Sequence, residues 1–160
     1  MNKNINIILL SILSLLILSV FSAYIIEYGL GHKPCKLCIY QRYPYFISIF
    51  IILNIIVIKK YIKISLLMLS LVSLVGSIVA FYHFGIEQGF FNESLVCEAG
   101  SLDQNLSTED LLKQLSNNTV SCKTVTFRVL GLSLASINTI FSFVLFVIFI
   151  KLFRNYEINK

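Results

Sequence analysis

The stretch "ISLLMLSLVSLVGSIVAFYHFGI", Ile64 to Ile86, runs for 23 residues without an aspartate, glutamate, lysine or arginine. About 20 apolar residues wound as an α-helix are enough to cross the hydrocarbon core of a bilayer. In lipid every backbone N–H and C=O must be paired within the segment, so such a run crosses as a helix. Three further charge-free runs flank it, Asn4 to Ile26, Tyr43 to Ile58 and Val129 to Ile150. The run from Tyr43 is short, but it lengthens when the helix begins near Ile39 and the Arg42 stem lies along apolar surface. Pro44 then falls in the first turn, where proline is tolerated. The sequence therefore predicts four spans, at about 5–26, 40–58, 64–86 and 129–150. The composition agrees: 57% of the 160 residues are hydrophobic, 13% are charged and none is tryptophan, which no ordinary water-soluble domain of this size shows.

Lys3 ahead of the first run resembles the start of a secretory signal. The apolar stretch is, however, far longer than the roughly 7 to 15 residues of a signal core, and Phe21-Ser22-Ala23 is a poor cleavage site. A retained helix is expected. Orientation follows from the lysines and arginines at the span ends. One side carries Lys3, Lys59, Lys60, Lys63, Lys151, Arg154 and Lys160 against Glu157 alone. The other carries Lys33, Lys36, Arg42, Lys113, Lys123 and Arg128 against seven acids. The first side is predicted to be cytoplasmic, with both termini there, and the loops at about 27–42 and 87–128 to be periplasmic. The net charge of +5 is thus a topology signal. Basic residues scattered along membrane edges are no nucleic-acid footprint. The expected fold is a single all-α integral membrane domain over residues 1–160, an antiparallel four-helix bundle in the lipid bilayer.

The inner turn, Lys59 to Lys63, is too short for a soluble domain, so the chemistry is expected in the two outward loops, which hold all four cysteines. Disulfides persist outside the cytosol and are rare within it. In the second loop, "NLSTEDLLKQL" carries Ser107 with Asp110 three residues on, a capping-box pattern, and Leu111, Leu112 and Leu115 on one face. It predicts a short helix, either lying on the membrane or a partner or packing on its own protein.

Cys35 and Cys38 form a Cys-x-x-Cys pair, whereas Cys97 and Cys122 lie far apart within one loop. Spacing favours Cys35 with Cys38 and Cys97 with Cys122, since each pair shares a loop. Redox chemistry, structural staples and a zinc site all remain open on spacing, although zinc usually wants two closely spaced ligand pairs. The membrane favours redox. Cys38 is expected at the start of the second span with Arg42 one helical turn later, a setting that stabilises a thiolate. Arginine at a membrane edge is also an ordinary interfacial anchor.

"CKLCIYQRYPYF", Cys35 to Phe46, resembles the Cys-x-x-Cys-x-x-x-Arg element of the DsbB family of membrane disulfide-generating proteins. "YHFGIEQGFF" before Cys97 and "FRVLGLSLASIN" after Cys122 are similar to that family's loop-to-helix junctions. The resemblance covers nearly the whole chain. It implies a quinone-dependent oxidoreductase of the bacterial inner membrane, which reoxidises a periplasmic DsbA-like thiol oxidase and passes the electrons to membrane quinone, ubiquinone or menaquinone. By position it makes Cys35 and Cys38 the pair oxidised by quinone, Cys97 the residue captured by the partner, Cys122 its loop mate and Arg42 a residue near the quinone. His83 corresponds to a quinone-side position, while from the residues alone it suits equally an interfacial histidine hydrogen-bonded within the bundle. No metal is implied. Gln41 stands where some relatives carry an acid, so no acid–base role transfers to it. Tryptophan, common in these loops, is absent here, so the resemblance does not extend to its partner contacts, while the thiol chemistry is left intact. A structural adaptor with stapled loops is the alternative. A relay that sends electrons outward would need cysteines near the inner side, and none is there.

Overall fold

Long charge-free runs with few helix breakers give long helices, and the computed structural model describes residues 3–92, 97, 121–123, 128–129 and 131–158. Helix α1 (Lys3–Tyr24) continues into a π-helical turn (Ile25–Gly29). A short helix α2 (Lys36–Tyr40) leads through Gln41 and Arg42 into α3 (Tyr43–Ile58), which carries Pro44 in its first turn. Then come α4 (Ile62–Glu87) and α5 (Leu134–Ile158). Four segments are long and apolar enough to cross a membrane: Ile5–Gly29, Lys36–Ile58, Ile62–Glu87 and Leu134–Tyr156. They form the helical bundle of a multi-pass membrane protein.

The fourth helix starts at Leu134 and not near residue 129 as the charge pattern suggests. Arg128–Val129 (β1) instead pairs antiparallel with Leu132–Ser133 (β2). The turn between them contains Gly131 at φ 86°, a left-handed conformation that suits glycine. Hydropathy registers that these residues are apolar, not that they form a hairpin. The helix expected around Ser107 to Leu115 lies outside the described residues.

Helix α4 is the centre of the packing, with its most extensive contact along α5 and a second along α3, while α1 packs on α3. Lipid tails are as apolar as leucine, so helices associate in a membrane through close packing, and small residues allow it. Ser70, Ser73, Gly76, Ser77 and Ala80 are buried along α4. At Gly76 a Cβ would stand 3.2 Å from Pro44 of α3 and 3.8 Å from the Ser142 hydroxyl of α5. This glycine therefore sets how closely three helices approach. Further along the bundle, Leu9, Leu16, Ile52, Leu66, Leu69 and Phe149 fill the interior completely. Phe50, Val57 and Ile78 point outward, as lipid-facing side chains do. At the short turn between α3 and α4, Lys59 takes a left-handed conformation, φ 55°, and its N–H closes α3 on the Ile55 carbonyl at 3.2 Å.

Candidate active site

At the opposite end of α4, both cysteine pairs come together. Cys35 precedes α2 in extended conformation, and its sulfur accepts the backbone N–H of Cys38 at 3.2 Å. The two residues carry free thiols with sulfurs 2.8 Å apart. Cys97 and Cys122 are joined in a disulfide with Cα atoms 5.4 Å apart. Cys35, Cys97 and Cys122 are buried in one cluster with Leu37 and Ile86. The Cys35 sulfur, a ring nitrogen of His83 and the Cys122 sulfur all lie within 4.8 Å of one another. Those three atoms form no zinc centre as they stand, because the disulfide leaves Cys122 without a thiolate and only two donors remain.

Cys35 is held well below the ordinary thiol range, at about 5. The hydrogen bond with the Cys38 sulfur does most of this, against the opposing effect of burial, and the His83 ring adds a hydrogen bond. The His83 Nε2 stands 3.5 Å from the Cys35 sulfur and 3.7 Å from a Glu87 carboxylate oxygen. Its other ring nitrogen, Nδ1, meets the Gln41 side-chain amide nitrogen at 2.9 Å. Gln41 in turn accepts from the Asn138 amide of α5 at 2.5 Å, and the Asn138 carbonyl accepts from the Tyr45 hydroxyl. A buried hydrogen-bonded chain thus runs from Cys35 into the bundle.

Arg42 takes another direction from the one its spacing suggests. One turn after Cys38, its guanidinium bonds the Glu27 carboxylate at 2.5 Å and sits 4.9 Å from the centroid of the Tyr24 ring. The arginine that follows the Cys-x-x-Cys pair is therefore matched with an acid from the π-helical turn that ends the first helix. Arg42, Glu27 and Cys38 line a cavity of about 370 Å³ between α1, the α2–α3 junction and the start of α5. Leu15, Leu18, Val20, Ile26 and Phe141 give it an apolar wall, and Gln41, Tyr45, Asn138, His32 and Lys33 complete it. His83 is not among the lining residues and stands behind Cys35.

Of the residues singled out in the sequence, the four cysteines and His83 are thus brought together, and Arg42 joins Cys38 at the cavity. Glu27, Gln41, Tyr45 and Asn138 were not singled out as site residues. Two of them carried a usable signal: a glutamine and an asparagine inside or at the edge of an apolar span are expected to hydrogen-bond across helices.

The profile of the family described as Disulfide bond formation protein DsbB matches residues 5–152. The chain is also 31% identical over 140 residues to the uncharacterized protein RP370 of Rickettsia prowazekii (strain Madrid E), which covers 86% of this chain and 81% of that one. No solved structure matches. The family profile extends from the first span almost to the end of the last and takes in all four cysteines, and the bundle is of the helical membrane type that the family forms, so the chain belongs to the DsbB family of disulfide bond formation proteins.

Proposed function

We propose that this oxidoreductase reoxidises a DsbA-like dithiol oxidase in the periplasm and delivers the electrons to a membrane quinone. The observation that carries the reading is the meeting of the two cysteine pairs beside His83, with Cys38 of the inner pair at the wall of an apolar cavity. A partner thiolate attacks the Cys97 sulfur, the Cys97–Cys122 bond breaks and Cys122 is released as a thiolate. Cys122 then attacks Cys35 of a Cys35–Cys38 disulfide, and Cys38 leaves as a thiolate. The partner's second thiol resolves its bond to Cys97 and completes the partner disulfide. Freed Cys97 attacks Cys122, which restores the outer disulfide and releases Cys35. Two electrons have then moved from the partner to the Cys35–Cys38 pair. The depressed Cys35 thiol favours this last departure, since a less basic thiolate leaves faster. A joined Cys97–Cys122 beside free thiols at 35 and 38 corresponds to this stage of the cycle.

The cavity suits a quinone head: its wall is mostly apolar, it is about 370 Å³, and it presents a cysteine sulfur and a guanidinium. Arg42 would hold a ring oxygen, Cys38 would face the ring, and His83 would act through Cys35. The chemistry supplied by a bound quinone is acceptance of two electrons and two protons, with the Cys35–Cys38 disulfide re-formed. The charge bias of the span ends supports a bacterial inner-membrane location with both termini cytoplasmic and the cysteine loops periplasmic.

The inner half of this reaction can be isolated in a Cys97→Ser, Cys122→Ser variant, reduced, freed of reductant and given a short-chain quinone without oxygen. One Cys35–Cys38 disulfide should form per chain with one equivalent of quinol. Persistence of both thiols under excess quinone would contradict the proposal, and is what a stapled adaptor predicts.

A further inference from the structure

The chain of hydrogen bonds behind Cys35 has a direction. His83 Nε2 faces two acceptors, the Cys35 sulfur at 3.5 Å and a Glu87 oxygen at 3.7 Å. A nitrogen placed so must carry the proton, and in a neutral imidazole the other nitrogen is then an acceptor. Nδ1 accordingly needs a donor, and the Gln41 amide nitrogen stands 2.9 Å away. With its nitrogen committed there, Gln41 turns its oxygen toward Asn138, whose amide nitrogen donates to it at 2.5 Å. The Asn138 oxygen is left to accept, and the Tyr45 hydroxyl donates to it. Ser142, 3.4 Å from the Tyr45 oxygen, completes the sequence as a donor. Each group fixes the orientation of the next, as outer-shell partners fix a metal-bound histidine.

We propose that Tyr45, Asn138 and Gln41 are positioning residues that hold His83 as the neutral Nε2–H tautomer, so that the ring donates its hydrogen bond to the Cys35 sulfur. Two features give this consequence. Gln41 is 6% exposed and His83 2%, so water is poorly placed to replace either partner. The device also acts on one cysteine of the pair: it reaches Cys35, on the side of Cys122, and not Cys38 at the cavity wall. A donor aimed at Cys35 makes it the better leaving group when the outer disulfide re-forms. The inference rests on the redox reading of the Cys35–Cys38 pair. The titratable groups facing Cys35 are Cys38 and His83, and Glu87 faces His83 and Cys38 in turn. Arg42, paired with Glu27, and His32 and Lys33 also line the cavity.

The tautomer is read directly by ¹⁵N NMR of histidine-labelled, full-length reduced protein in detergent, with neither partner nor quinone added. The chain has only two histidines, so His32→Gln assigns the spectrum. Wild type should show His83 protonated at Nε2 alone, and a ring protonated at Nδ1, alone or with Nε2, overturns the proposal. Asn138→Leu removes the residue hydrogen-bonded between Gln41 and Tyr45. It should give mixed tautomers and raise the pH midpoint of Cys35 alkylation, followed by peptide mass, by about one unit, the equivalent of one lost charge-assisted hydrogen bond. A folded Asn138→Leu with the wild-type tautomer and midpoint contradicts it. Tyr45→Phe deletes one oxygen and little packing, so it should move the midpoint the same way by less. No movement there overturns the proposal even where Asn138→Leu fails to fold. Quinone turnover is scored separately, so the tautomer can fail while quinone reduction stands, and the reverse.

Discussion

Cys122→Ala should abolish turnover and leave the soluble partner covalently held on Cys97. In the proposed order Cys122 is the nucleophile that carries electrons from one pair to the other, and its sulfur is within 4.8 Å of Cys35 and His83. No other thiol is placed to do this among the described residues, since Cys38 lies on the cavity side of Cys35. In this variant Cys97 has no loop partner, so it enters as a free thiol and meets an oxidised partner, forming a mixed disulfide with release of the partner's second thiolate; with Cys122 gone, return attack by that thiolate is the one route that frees the partner. Cys97→Ala should yield no adduct. The two single substitutions therefore differ on a non-reducing gel although both stop turnover. Cys97 is 2% exposed, so adduct formation also requires its sulfur to become accessible, and the adduct should accumulate faster under mild denaturant. Turnover near the wild-type rate in Cys122→Ala would rule out this route.

Arg42→Ala should raise the quinone concentration needed for half-maximal rate by about tenfold to a hundredfold, the cost of a charge-assisted hydrogen bond lost at a site poor in water. Arg42→Lys should fall between, because lysine keeps the charge but not the planar fork of donors. The structure changes one expectation here. An interfacial arginine could be removed without consequence for the bundle, but this one is paired with Glu27, with side chains 15% and 19% exposed. Its loss leaves a partly buried carboxylate without its cation, so Arg42→Ala should also lose stability. Glu27→Gln with Arg42→Ala removes that penalty, and the quinone requirement should stay raised in the double variant. Exchange at Cys97 should be nearly unchanged in all of them. An unaltered quinone requirement in Arg42→Ala would make Arg42 a membrane and Glu27 anchor only.

The four helices were legible because hydrophobic runs of bilayer length have one outcome in lipid. The fourth boundary was not, since the residues around Gly131 are as apolar as a helix end and turn only because a glycine there adopts φ 86°. The same division runs through the site. Cys-x-x-Cys is a local pattern and can be read from spacing. The Gln41 to Asn138 bond joins residues 97 apart, and only the packing of α5 beside the α2–α3 junction creates it. Resemblance gave no help at Gln41, because relatives with an acid there suggest proton chemistry and the amide does something else: it presents a nitrogen to one neighbour and an oxygen to the other. Glu27 was visible as one acid among those that the charge pattern assigns to the outward side, without any sign that it would meet Arg42 across 15 residues.

The coupling of outer loop to membrane is tested most directly by mixing purified full-length protein with an excess of reduced DsbA-like oxidase, without oxygen, and counting partner disulfides as quinone is added. With no quinone, oxidation should stop after the chain's own two disulfides are spent. With quinone it should continue, one quinol appearing for each partner disulfide. Partner oxidation that stops at the same point with quinone present, or quinol formation without partner disulfides, would contradict the account.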